Sequence, residues 1–278
     1  MKLTVLSDNR SRDPEFLTEH GLSVYVETDQ YKCLLDTGAS GLFIRNAEKA
    51  GIDLSLVDYV FISHGHSDHI GGLDLFLKLN EKAKIILSKN VLGQKLYSKR
   101  NGFREISPEF DVEKYRNRLL FVEDKPVLGD GIYAMDVNLY GYALPKANAT
   151  LYRDAGKGLE PDDFNHEIVV ALGNRNLLVY TGCAHHGLLN MLETVTEATK
   201  KNIRYVLGGT HLIDSNEWQY YETDEEITTI GQMFLEHNPN TEFYTGHCTG
   251  NQVCASFRQR IFNNLQCFYC GLHLELED

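Results

Sequence analysis

The chain begins with no apolar signal core, because MKLTVLSDNRSRDPEF turns polar by residue 7. No stretch approaches the roughly 20 apolar residues needed to cross a bilayer. The expectation is therefore a cytoplasmic protein with no membrane partner. In that setting Cys33, Cys183, Cys248, Cys254, Cys267 and Cys270 read as reduced thiols or ligands. Positive charge is also scarce, with 27 basic residues against 39 acidic for a net charge of −12. An acidic surface repels phosphate backbones, which disfavours nucleic acid as a partner. No Pro-, Gly- or Ser-rich linker, low-complexity tract or repeat divides the 278 residues, so 1–278 is expected to be one domain. No Gly-rich phosphate loop is visible. Cys267-Phe-Tyr-Cys270 has no second CxxC to complete a zinc ribbon, and Cys248 and Cys254 stand at the wrong spacing for a knuckle. Buried thiols are the expected state of these four.

What remains is an ordinary globular composition, 42% apolar and 24% charged. KLTVLSD, LSVYVETDQ, YKCLLDTG, DYVFISHG and AKIILSK read as strands in the first half, the second and third as a hairpin. Leu42 to Ala50 and GGLDLFLKLN have helical spacing. Asn90 to Arg118 is polar and irregular, either a helical insertion or a flap over a site. LLFVED, GIYAMDV and the hairpin EIVVALGNRNLLVYTG return to strand. The remainder alternates: helix GLLNMLETVTEATKK, strand IRYVLGG, helix DEEITTIGQMFLEH, strand TEFYTGH, helix NQVCASFRQRIF and a final strand QCFYCGLHLEL. Hairpins followed by alternation predict an α+β arrangement of two sheets with helices packed outside them.

One stretch concentrates chemistry. His64-x-His66-x-Asp68-His69 follows directly on the strand DYVFIS. Imidazoles and a carboxylate suit Zn, with Fe or Mn as alternatives. If the segment is an extended turn, His64 and His66 grip one ion while Asp68 and His69 face a second. Four residues cannot complete two coordination spheres, so distant ligands are required. Three later strand ends supply candidates, each with glycine beside it: Cys183 and His185 in TGCAHHG, His211 in GGTHL, and His247 in TGHCTG. The glycines permit tight turns and close backbone approach.

These residues carry a resemblance. HGHSDHIGG resembles the signature loop of the metallo-β-lactamase superfamily, which implies a four-layered αββα sandwich around one or two divalent transition metals. Asp8-Asn9, Glu19-His-Gly-Leu-Ser23, LDTG, TGCAHHGLLN, GGTHL and TGHCTG are similar to the branch containing archaeal dihydropterin–ribofuranosylaminobenzene phosphate synthases. The chain departs from the wider superfamily in having no histidine from Ile70 through Asn165. Cys183 occupies the position usual for a bridging Asp. His185 is the best candidate for the third histidine, with His211 competing.

Other polar residues are weighed against ordinary roles. Asp36 is expected to hold a ligand histidine by hydrogen bond rather than touch metal. Asn9 and His20 match the branch pattern and either line the pocket or serve local turns. His166 is weighed as a pocket residue but expected to play an ordinary role; His186 is expected to point away from the pocket, and His237 and His273 receive no function. A metal held this way lowers the pKa of bound water from about 16 to about 7 and polarises a carbonyl or phosphoryl oxygen. Asp68 is placed to accept a proton from the attacking water, and His211 to ligate metal or to stabilise charge on the substrate. The expected activity is hydrolysis of an ester, lactone or phosphoester of a small metabolite; the alternative is a synthase-like transferase of the resembling branch.

Overall fold

The computed structural model describes residues 1–123, 127–129, 131–260 and 264–277. Two seven-stranded sheets face each other. The first has the order His273–Glu275, Lys2–Ser7, Ser23–Glu27, Lys32–Leu35, Tyr59–Phe61, Lys84–Leu87 and Leu119–Phe121. The second runs Leu265–Cys267, Glu242–Thr245, Asn202–Gly208, Asn176–Tyr180, Ile168–Leu172, Ile132–Asp136 and Val127–Gly129. Helices cover the outer faces, giving four layers, αββα.

Strand periodicity explains the layering. Ile168–Leu172 is buried throughout; Ile168, Val170 and Leu172 enter the cluster between the sheets, while Val169 and Ala171 pack against the outer helices. In the first sheet Phe61 faces inward, whereas Val60 and Ile62 pack under the helices Leu42–Lys49 and Leu73–Leu79. Strands buried on both faces lose the polar alternation of a surface sheet, which is why they read as continuous apolar runs. Each buried Val, Leu, Ile or Phe among them contributes about 1.5–3 kcal/mol by leaving water.

The helices follow their own signals. Leu188–Thr199 buries Leu188, Met191, Leu192 and Val195, one helical stripe, and stops at Lys200 in the left-handed conformation. Asp224–His237 opens on a capping box, Thr223 bonding to the Glu226 amide while the Glu226 side chain accepts the Thr223 N–H. Among the described residues no helix is long and apolar enough to cross a membrane.

Three expectations need correction. QCFYCGLHLEL is two strands in different sheets: Leu265–Cys267 extends the second sheet, and His273–Glu275 pairs with Lys2–Ser7 in the first. Gly271, at φ 84°, makes the reversal, and the Cys270 sulfur accepts the Asp8 N–H at 3.0 Å where the chain crosses over. The cluster after His66 is not an extended turn but one helical turn, Ser67–Ile70. A third sheet also exists, Leu159–Pro161, Leu151–Asp154, Leu96–Ser98 and Arg104–Glu105, of which the last two come from the irregular insertion. It lies over the site, so the flap expectation describes it better than the helical one.

Candidate metal centre

Direction of travel assembles the site. Lys32–Leu35, Tyr59–Phe61 and Lys84–Leu87 are parallel, as are Asn176–Tyr180, Asn202–Gly208 and Glu242–Thr245, so their C-terminal ends lie along one edge. That is where ligands bind in parallel sheets. Asp36, the segment from Ser63 to His69, Cys183 with His185, His211 and His247 all follow those ends. The backbone there is strained. Asp36, Phe164, Ala184, His211 and His247 all have φ between 50° and 57°, a region costly for residues with a Cβ. Gly182, at φ 57°, leaves no room for a side chain: an added Cβ would meet the Ser63 hydroxyl at 2.4 Å.

Two groups of donor atoms adjoin. In the first, the rings of His64, His66 and His185 stand 4.6–5.0 Å apart, and each has a buried Nε2 with no hydrogen bond. A buried, unpaired polar atom is costly, and three in one place are what a metal would satisfy. In the second, His69 Nε2 lies 3.1 Å from His247 Nε2 and 3.2 Å from Cys183 Sγ, while Asp68 Oδ2 is 3.3 Å from His247 and 3.9 Å from His69. Zn–N bonds of about 2.0–2.1 Å imply tetrahedral donor–donor edges of about 3.3 Å, so this spacing fits one ion. Cys183 belongs to both groups, since it also clusters with His64 and His185.

Four of the histidine donors are oriented from behind. Asp36 accepts hydrogen bonds from the Ser63 amide and hydroxyl and from Tyr180, and its Oδ2 stands 2.6 Å from His69 Nδ1, so it holds a ligand histidine without reaching the donor cluster. The Ser63 hydroxyl also contacts His64 Nδ1 at 2.9 Å. Asn148 Oδ1 contacts His185 Nδ1 at 3.0 Å, and Glu167 accepts the backbone N–H of both His185 and His186. Asn9 borders the outer part of the cleft rather than its inner floor; its amide donates to the His247 carbonyl and its Oδ1 meets His247 Nδ1. Asp8 accepts the His247 amide. Partners of this kind fix ring orientation and leave the far nitrogen free for metal.

The electrostatics match this division. Burial, then the repulsion of neighbouring imidazoles, holds His64 and His185 well below the ordinary histidine value, and burial lowers His66 too. All three are neutral, with lone pairs available. Burial would lower His69 as well, but the charges of Asp36 and Asp68 outweigh it and push it up to about 9. Burial would raise the Asp68 carboxyl, yet His69 and His247 hold it well below the carboxylate range. Burial first, then the adjacent Cys248 sulfur, pushes the Cys183 thiol up, so its conversion to thiolate depends on a bound cation.

His211 is buried at the same edge, its ring 4.3 Å from that of His185, and neither ring nitrogen makes a hydrogen bond. It clusters with Cys183 and Cys248. His20 Nε2 contacts Asp68 Oδ2 at 3.2 Å and stacks on His247, so it closes the open side of the second group. His166 lies behind the first: its Nδ1 accepts the Gly65 amide and its Nε2 meets Asp162. With both nitrogens engaged it is a support for the histidine turn rather than a donor. His186 is turned onto Glu167, and His237 and His273 lie elsewhere, against Tyr142 and Thr4. Sequence reading missed Glu167, Asn148, Asp162 and Cys248. Only Cys248 carried a signal, its place beside His247 in TGHCTG.

An inner cleft of about 30 Å³ is bordered by His66, Asp68, Cys183 and His211, and also by Arg104 of the third sheet and Arg100 from the turn before it. It adjoins an outer chamber of about 300 Å³, with which it shares His20, Arg100, His247 and Cys248.

A family model for the metallo-beta-lactamase superfamily matches residues 18–187, and the chain belongs to that superfamily. The crystal structure of Tm1679, a metal-dependent hydrolase of the beta-lactamase superfamily, superposes with a TM-score of 0.81 at 31% identity over 100% of both chains. The chain is 24% identical to the 7,8-dihydropterin-6-methyl-4-(beta-D-ribofuranosyl)-aminobenzene-5'-phosphate synthase of Methanocaldococcus jannaschii, over 96% of this chain and 94% of that one. It is 26% identical to the uncharacterized protein MJ0448 of the same organism, over 92% and 94% respectively.

Proposed function

We propose that the chain is a metal-dependent hydrolase cleaving an ester, lactone or phosphoester bond of a small metabolite by activated water. The observation that supports this best is the pair of adjoining donor groups with Cys183 between them. His64, His66 and His185 would hold one divalent ion and Asp68, His69 and His247 a second. The nitrogen and sulfur donors suit Zn first, with Fe or Mn as alternatives. Such a centre supplies a lowered water pKa and Lewis-acid polarisation of the reacting oxygen.

The chain's own groups supply the rest. Asp68, kept ionised, accepts the proton of the attacking water. His211 has free ring nitrogens facing the cleft and donates to charge developing on the substrate. Arg100 and Arg104 put two guanidinium groups beside the cleft, which favours an anionic, phosphate-bearing substrate among the three bond types. The inner cleft admits little more than the reacting group, so the substrate body would occupy the outer chamber.

A transferase reading is favoured by one observation, the near-full-length similarity to the archaeal synthase. There the same cationic cleft would stabilise a departing diphosphate. Incubation of metal-loaded protein with chromogenic esters, lactones and phosphodiesters, in parallel with pterin methyl diphosphate and an aryl ribofuranosyl phosphate, separates the two. Turnover in the first panel alone supports hydrolysis, and a condensed product in the second replaces it with transfer.

A further inference from the structure

A groove of about 390 Å³ lies apart from both clefts of the metal centre and shares no lining residue with either. Its walls are the helices Leu188–Thr199 and Asp224–His237, bridged by the segment 141–146. Polar contacts pin that segment at both ends, so it spans the gap between the helices. Asn190 Nδ2 donates to the Tyr142 carbonyl at 3.1 Å, and the Lys146 N–H donates to Glu222 Oε1 at 2.6 Å. Gly187, at φ 83°, approaches it so closely that an added Cβ would meet the Ala143 carbonyl oxygen at 2.8 Å. Leu188, Leu189 and Leu212 are buried and form the floor, while Leu144 and Met233 are exposed at the mouth. A largely apolar cavity of this size with a few polar groups is the usual form of a small-molecule site.

One polar atom in that wall is unsatisfied. Glu222 Oε1 is taken by Lys146, but Glu222 Oε2 is buried with no hydrogen bond. A buried carboxylate oxygen without a donor is costly. Glu222 lines the groove and is partly exposed, so a small turn of its carboxyl presents that oxygen to an incoming donor. The neighbouring acids have other roles. Glu225 and Glu226 lie in the first turn of Asp224–His237, where carboxylates complement the helix dipole, and Glu226 also closes the capping box. Glu222 precedes the cap and serves neither purpose. The one cation in the lining, Lys146, is already committed through Nζ to Glu226 at 2.6 Å. Three carboxylates against one paired ammonium leave the groove net negative. We propose that this groove binds a small organic amine, its ammonium donating to Glu222 Oε2 and its apolar body lying over Leu188, Leu189 and Leu212. The site goes beyond the hydrolase reading, because it selects a cation whereas Arg100 and Arg104 at the metal centre favour an anion.

The test titrates metal-loaded protein with dansylcadaverine, an alkyl ammonium carrying an apolar fluorophore. It follows fluorescence together with the methyl NMR signals of isotope-labelled methionine. Saturable binding with a Kd on the order of 10–100 µM is expected, the scale for a ligand of that size. The Met233 methyl signal should shift most among the four methionines. Acetylating the probe's amine, or replacing it with a carboxylate, should weaken binding by about tenfold or more. Glu222→Gln should do the same, since it keeps an acceptor for Lys146 and removes the charge facing the amine. The probe comparison uses wild type and needs no variant to fold. Equal binding of the acetylated probe, or unchanged affinity in Glu222→Gln, overturns the proposal. Binding that leaves the Met233 signal in place, or no saturable binding, does so as well. A Met233 signal that shifts with protein concentration alone would assign the groove to a second copy of the chain instead. No readout uses turnover, so failure here and failure of the hydrolase reading are distinguishable.

Discussion

At the scale of single residues the site is costly to keep without metal. His64, His66 and His185 bury unpaired Nε2 atoms, so removing the His64 ring gives up only the Ser63 contact at its Nδ1. His64→Ala should therefore abolish metal binding while far-UV circular dichroism stays native; a variant that unfolds would make the ring structural. Removing metal also sets a pH dependence. These histidines are held below their unfolded value of about 6.5, so as pH falls through that value the unfolded chain takes up protons that the folded chain refuses. Chelator-treated protein should lose thermal stability as the pH falls below about 6.5, and a flat or rising profile in thermal melts would contradict the assigned protonation. His211→Ala separates two roles. Metal stoichiometry should persist while turnover falls by about 10²–10³-fold, the scale for one lost donor. Loss of metal would make His211 a ligand instead. The donor residues were legible in the sequence because clustered histidines and glycine-flanked strand ends have a local signature. Glu167, Asn148 and Asp162 were not, because a carboxylate or amide behind a ligand looks like any other polar residue until the fold brings it there.

At the scale of elements, the turns carry the precision. Gly182 sits in the left-handed region and its missing side chain leaves room for Ser63, which in turn contacts Asp36 and His64. Gly182→Ala should cost about 1–3 kcal/mol of stability from strain alone and weaken metal binding, read by melts and by metal titration. An unperturbed titration would show that the turn tolerates a Cβ and that Ser63 is not its conduit. Most helices and long strands were readable from period and caps, as in the stripe Leu188, Met191, Leu192 and Val195. The last strand was not. QCFYCGLHLEL is one apolar run, and only Gly271 marks the reversal that sends its halves to different sheets. The third sheet escaped because its strands are too short to show alternation: Arg104–Glu105 and Leu159–Pro161 pair locally with Leu96–Ser98 and Leu151–Asp154, and those two pair with each other only across the distant fold.

At the scale of the molecule, the two sheets act as one device. Their inner faces share a core that includes Val5, Val24, Phe61, Ile168, Val170 and Tyr205, and their parallel strands end along a common edge. Donors from both sheets meet there: His64, His66, Asp68 and His69 from the first, Cys183, His185 and His247 from the second. Weakening the shared core should therefore loosen the centre without touching it. The metal centre is the claim on which the functional reading rests, and elemental analysis of purified protein grown with supplemented Zn, Fe and Mn tests it most directly. One or two transition-metal ions per chain, lost in His64→Ala and Asp68→Ala, is the predicted result; protein that carries no metal under any of these conditions would contradict it.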